Sequence, residues 1–150
     1  MPAHQTILEH WLVRLFQDYP GQTVDLVDPD QFRNPVSFLF RENLAVVVRQ
    51  LLGKNDVAVT TRAVQNVVRI RAVQDLTPSQ ATAFVSELKP IVKEVLPEAD
   101  LPNLYGRIDQ LSLIASREYE RCREQLEQIR VSERQRATGA LALAHGGRSR

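Results

Sequence analysis

The chain of 150 residues has little of what metal-binding and nucleophilic sites are built from. It has one cysteine, Cys122, so neither an internal disulfide nor a cysteine-based zinc site can form. None of its three histidines, His4, His10 and His145, has a metal-ligand partner at a suitable spacing. A glycine-rich phosphate loop is also missing. The sequence therefore predicts a protein that is not an enzyme, with no catalytic residue, metal or cofactor.

The chain also lacks a strong charge and a long apolar run. Its formal net charge is +1, and residues 1–75 carry eight acidic and eight basic side chains. This balance gives no electrostatic reason to expect a nucleic acid as partner. Apolar runs such as residues 44–48 are too short to span a bilayer, and the amino terminus does not resemble a signal peptide. We expect a cytoplasmic protein without membrane insertion.

Apolar residues recur at helical spacing along most of the chain, which predicts an all-α fold. The architecture expected is a compact globin-like or helical-bundle domain of about five to six helices, with a long carboxy-terminal helix. The predicted helices cover about residues 5–18, 34–53, 56–76, 77–96 and 103–137. We expect one domain over residues 1–137 and a disordered tail over 138–150, where glycine, alanine, arginine and serine prevail.

Turn and cap residues mark the helix ends. Asn34-Pro35 and Thr77-Pro78 each place a capping residue before a proline, which predicts that a helix begins there. Pro90 falls inside the fourth predicted helix and should kink it or divide it in two. The acidic segment before Asn34 is predicted to be a loop.

The last helix carries an apolar seam with spacings of 4, 3, 4, 4, 3, 4 and 3 residues. This pattern is typical of a coiled-coil seam, or of a helix that begins in a core and leaves it. It predicts a dimer or docking seam formed by Leu104, Ile108, Leu111, Ala115, Tyr119, Cys122, Leu126 and Ile129. Cys122 should behave as a small hydrophobe, although its arginine neighbours leave a redox-sensing role open.

Polar residues cluster where the third predicted helix meets the fourth. The cluster comprises Arg69, Arg71, Gln74, Asp75, Ser79 and Gln80. Arg71 and Asp75 are one helical turn apart and able to pair. Two interpretations stay open. In the first, which the residues alone favour, the polar side chains cap the helix ends and bond to one another. In the second, they form a polar pocket that binds a ligand or a partner.

Several segments, taken in order, are similar to a known family over about residues 7–136. They are Asn34-Pro35-Val36, the central run Arg71-Ala72-Val73-Gln74-Asp75-Leu76-Thr77-Pro78-Ser79-Gln80 with its neighbours 68–70, and residues 81, 83–85, 107–111, 119–124 and 129–133. Together they resemble the RsbRD amino-terminal domain family. The central run is the most specific of them.

The resemblance implies a role in bacterial stress signalling. RsbR-type proteins are co-antagonists in the stressosome, where amino-terminal domains sense signals and a carboxy-terminal STAS domain relays them. Domains of the wider group resemble haem-free globins and pair as dimers, and the family is not known as enzymatic. No STAS domain fits after residue 137, so we expect a free-standing module that signals by docking onto a protein partner. No histidine lies on the third or fourth helix to ligate haem.

Three hypotheses about function follow. The first is a homodimeric, non-enzymatic regulatory or sensory module that acts by protein–protein interaction. The second is a small accessory subunit of a larger complex, such as a redox or membrane-associated one. The third is a sensor that binds a small molecule in a polar pocket at the corner between helices three and four. The sequence does not identify that ligand.

Overall fold

The computed structural model describes residues 2–17, 35–74 and 76–148, with side chains through residue 143. All regular structure in these residues is helical, which confirms the all-α prediction and the long last helix. The helices are α1 (Ala3–Gln17), α2 (Pro35–Leu52), α3 (Val57–Ala72), α4 (Pro78–Thr82), α5 (Leu88–Val95) and α6 (Leu101–Arg148). Within the described ranges, none of the helices combines the length and the apolar composition needed to cross a bilayer. Asn34 and the predicted acidic loop lie outside the described residues.

α3 begins at a side-chain cap and ends earlier than predicted. The Asp56 carboxylate accepts hydrogen bonds from the backbone N–H groups of Ala58 and Val59, at 3.1 and 3.3 Å. The helix ends at Ala72 rather than at Leu76. Thr77 has extended backbone angles, φ −65° and ψ 160°, as is favoured for a residue before a proline, so α4 begins as a separate helix.

α4 begins as predicted, with a complete capping box. The Thr77 hydroxyl accepts from the Gln80 N–H at 3.2 Å, and the Gln80 side chain accepts from the Thr77 N–H at 3.0 Å. These two bonds satisfy donors that the first helical turn leaves without a backbone partner.

The break between α4 and α5 lies in residues 83–87, ahead of Pro90. The prediction that Pro90 itself kinks or divides the helix is therefore corrected. With α5 beginning at Leu88, Pro90 falls in the first turn, where its missing N–H removes no helical hydrogen bond. α6 likewise begins at Leu101, with Pro102 in its first turn.

The core lies within residues 1–119, which form one compact unit of the chain. α2 packs against α1 and α3, and α1 also packs against α5. Fully buried apolar side chains include Ile7, Trp11, Phe40, Leu44, Val64, Val67, Leu88, Ile91 and Ile108. Each such burial contributes about 1.5–3 kcal/mol to folding. The Trp11 indole N–H also donates to the Phe84 carbonyl at 2.6 Å, which ties α1 to the turn before α5.

Residues 120–150 form the second compact unit. Its helix continues to Arg148, past the boundary at residue 137 from which a disordered tail is predicted. The side chains of residues 127–143 are exposed, so this helical segment has no buried face of its own. Isolated helices of this kind are marginally stable in water. The domain boundary and the disordered tail stay predictions.

Candidate functional site

A small pocket lies at the corner between α3 and α4. Its volume is about 170 Å³, and three residues of the predicted polar cluster, Arg71, Ser79 and Gln80, line it. The rest of the described lining is Arg14, Leu15, Ala83, Phe84 and Glu87. The corner predicted from sequence thus contains a cavity, to which the last turn of α1 and the turn after α4 also contribute.

Arg71 is the buried cation of this pocket, with only 2% of its surface exposed. Its guanidinium donates to the carbonyls of Gln80 at 2.7 Å and Ala81 at 3.3 Å. The guanidinium carbon also lies 5.9 Å from the centre of the Phe84 ring. These contacts hold the side chain in one place. They also offset part of the cost of taking its charge out of water.

Two other members of the predicted cluster do not line the pocket. The Arg69 Nε instead donates to the Glu118 carboxylate on α6 at 2.8 Å. The Arg69 side chain is 50% exposed, whereas that of Glu118 is 3% exposed. Gln74 is half-buried beyond the end of α3. Asp75, and with it the predicted pairing with Arg71, lies outside the described residues.

Glu118 is not among the residues that the sequence predicts for this corner. A glutamate next to the seam residue Tyr119 resembles a solvated residue on the polar face of a helix. The spacing of Glu118 from the seam could have indicated its burial, because Glu118 follows Ala115 by three residues and precedes Cys122 by four. That spacing places it at the border of the buried stripe.

A second contact joins α6 to the same corner. The Tyr119 hydroxyl donates to the Leu76 carbonyl at 3.0 Å, and this hydrogen bond is buried. Together with the Arg69–Glu118 ion pair, it holds α6 against the residues that end α3. We call these two contacts the α6 anchor.

The predicted seam of α6 divides into a buried part and an open part. Six positions are already buried in the single chain: Leu104, Ile108, Leu111, Ala115, Tyr119 and Cys122. Leu126 is half-buried, and Ile129 is 54% exposed. Only the last two seam residues are therefore open to a partner while the chain is folded.

Arg71 gives the corner a chemistry that suits binding. An arginine guanidinium stays protonated in proteins, so it cannot act as a general base, but it suits carboxylates and phosphates. Among residues 2–17, 35–74 and 76–148, no group of three or more His, Cys, Asp and Glu side chains could hold a metal ion.

Comparisons with known proteins agree with the resemblance found in the sequence. No curated protein and no solved structure matches the chain, so its likeness to globins stays a prediction. The model of one family, the RsbT co-antagonist protein RsbRD N-terminal domain, matches residues 5–134. The match covers most of the chain and includes the corner pocket and the α6 anchor. The chain therefore belongs to the RsbT co-antagonist protein RsbRD N-terminal domain family.

Proposed function

We propose that this protein is a non-enzymatic regulatory module of stress signalling that acts by binding proteins through α6. Its family, named for a co-antagonist protein, supports the regulatory part of the proposal. The surface of α6 supports the binding part. The role does not require a catalytic residue, because a co-antagonist acts through the partners that it holds.

The observation that carries the proposal is the exposed apolar surface of α6 beyond the α6 anchor. Ile129, Val131, Leu141 and Leu143 are 54%, 39%, 61% and 80% exposed. Ile129 and Leu143 lie within about 40° of each other around the helix, whereas Val131 lies on the opposite side. A partner that covers the side with Ile129 and Leu143 would take both side chains out of water and stabilise the complex.

We propose that the partner is a second copy of the chain. Ile129 continues the seam spacing, and Glu133, Ala137 and Ala140 extend it by 4, 4 and 3 residues. Small residues on such a stripe let two helices approach closely, while a polar residue within it can fix their register. The flanking positions carry charges of both signs, including Glu127 and Arg130, which favours pairing between like helices.

Sedimentation equilibrium of the full chain at micromolar concentration tests this proposal. Ile129→Glu places a charge on the proposed interface, but should leave the fold intact because Ile129 is exposed. The matched control is Gln128→Glu, which adds the same charge to an exposed neighbour turned about 100° around the helix.

We expect wild-type protein and Gln128→Glu to be dimeric, with dimerisation at least about ten-fold weaker in Ile129→Glu. Partial burial of Ile129 in both copies accounts for about 2 kcal/mol, and charge repulsion adds to this loss. A monomeric wild type under these conditions would contradict the dimer. Equal weakening in both variants would show that the stripe is not the interface.

A further inference from the structure

A groove between α2 and α3 places apolar surface beside a positive charge. Its volume is about 250 Å³. Val46, Val59 and Ala63 supply apolar lining, and Val59 is 42% exposed, so this surface is open to water. Arg62 lines the groove at an exposed position. It forms no salt bridge with a residue that the structure describes, so its charge can pair with the carboxylate of a partner.

Side-chain amides hold the two walls of the groove together. The Asn66 amide N–H donates to the Asn43 side-chain oxygen at 3.0 Å, and both residues line the groove. The Asn43 amide N–H in turn donates to the Leu39 carbonyl at 2.8 Å. The groove is therefore formed before a partner arrives, and less conformational entropy is lost on binding than at a surface that must first be ordered.

The face of α6 opposite its apolar seam carries a second regular line of side chains. All of its members are exposed, and they recur at spacings of 4, 3, 4, 3 and 4 residues: Leu113, Arg117, Glu120, Glu124, Glu127 and Val131. We call these residues the outer line. Its three glutamates form no salt bridge with a described residue. Val131 lies about 160° around the helix from Ile129, so pairing through Ile129 leaves the outer line uncovered.

The carboxy-terminal end of the outer line matches the groove. Glu127 and Val131 are about 6 Å apart along α6, and Val59 and Arg62 are about 4.5 Å apart along α3. On α3 the apolar residue comes first, whereas on α6 the acidic residue comes first. An antiparallel crossing therefore brings Val131 to Val59 and Glu127 to Arg62 in one contact. A helix that lies in a groove between two others is a common mode of recognition between proteins.

We propose that the groove between α2 and α3 binds the outer line of a second copy of this chain. The two surfaces differ, so the contact is heterologous, and each copy keeps an open groove or an open outer line for the next one. The surface involved is small, which is typical of a weak contact with a Kd on the order of 0.1 mM. The contact is therefore scarcely populated at micromolar concentration. It goes beyond the pairing of α6, and neither contact depends on the other.

Sedimentation velocity of the full chain at several hundred micromolar and low salt tests the inference. Arg62→Glu reverses the charge of the groove, and Glu127→Arg reverses a charge of the outer line. In an equimolar mixture of these two variants, each groove again finds an outer line of opposite charge. Arg49→Glu and Glu98→Arg are the matched controls, because they make the same charge changes at exposed positions outside both surfaces. Thermal unfolding of each variant checks that the fold is kept.

The same series in Ile129→Glu protein separates this contact from pairing through α6. In either background, we expect the unmodified surfaces and both controls to associate further as concentration rises. Association should be at least about ten-fold weaker in each charge-reversed variant, because repulsion replaces attraction. The mixture should recover to within about two-fold of the protein with unmodified surfaces.

Three results would overturn the inference. If the size of the protein does not grow with concentration in either background, the groove does not bind the chain. Equal weakening in the charge-reversed variants and the controls would assign the effect to net charge. A mixture as weak as its two components would show that Glu127 and Arg62 do not meet. Failure of the α6 pairing alone would leave all three readouts unchanged in Ile129→Glu protein.

Discussion

The hydrogen bond from Tyr119 to the Leu76 carbonyl allows a quantitative test of how firmly α6 is held. Tyr119→Phe removes the hydroxyl and leaves the ring, which is 6% exposed, in place. The Leu76 carbonyl then loses its donor at a buried position. A buried acceptor without its partner costs about 1–3 kcal/mol. The smaller side chain leaves room for a water molecule, which can donate to the carbonyl and replace part of the lost bond. We therefore expect a loss of about 1–2 kcal/mol in the free energy of unfolding.

Urea unfolding followed by circular dichroism measures this loss, at one protein concentration so that any association affects all samples equally. The transition midpoint should fall while its slope stays constant, because the surface exposed on unfolding is unchanged. Tyr105→Phe is the matched control on the same helix, since Tyr105 is only half-buried and its ring contacts the Lys89 ammonium. We expect a change within about 0.5 kcal/mol for this control. Equal losses in the two variants, or no loss in Tyr119→Phe, would refute the role given to the hydroxyl.

Two further predictions concern the other half of the α6 anchor and the end of the chain. Arg69→Ala removes a charged donor from the buried Glu118 carboxylate and should lower the free energy of unfolding, measured in urea, by about 1.5–3 kcal/mol. Arg62→Ala, at an exposed position on the same helix, should lower it by less than about 0.5 kcal/mol. Similar losses in the two variants would mean that the ion pair contributes nothing specific. In amide hydrogen exchange of the Ile129→Glu variant, in which pairing is weakened, residues 138–143 should exchange far faster than those around Ile108, because the side chains of this helical segment are exposed in the single chain. Equal protection would rule out the disordered tail.

The pocket and the α6 anchor share one turn of α3. Arg71 lines the pocket, and Arg69, two residues earlier, bonds to Glu118 of α6. Alternate residues of a helix point in very different directions, so one turn can serve two surfaces. The pocket and the helix proposed to bind partners are therefore built on neighbouring residues.

The sequence by itself determined the features that depend on neighbours along the chain. Thr77-Pro78 predicted the start of α4, because a capping box and a first-turn proline need only four consecutive residues. Helical periodicity predicted the buried stripe of α6 as far as Cys122, because that face recurs regularly within one helix. The central run around these signals was also specific enough to predict the family that the comparison confirms.

Tertiary structure decided what depends on residues far apart in sequence. Arg14 and Arg71 share a pocket only because α1 packs beside the turn after α4, and no pattern in either segment shows this. The burial of Glu118 depends on α3, which is 49 residues away in sequence and supplies Arg69. Likewise, the break before α5 places Pro90 where a helix tolerates it while Leu88 and Ile91 stay in the core. The apolar seam was visible in the sequence, but only the packed chain shows that its first six positions are already covered and that Leu126 and Ile129 remain open to a partner.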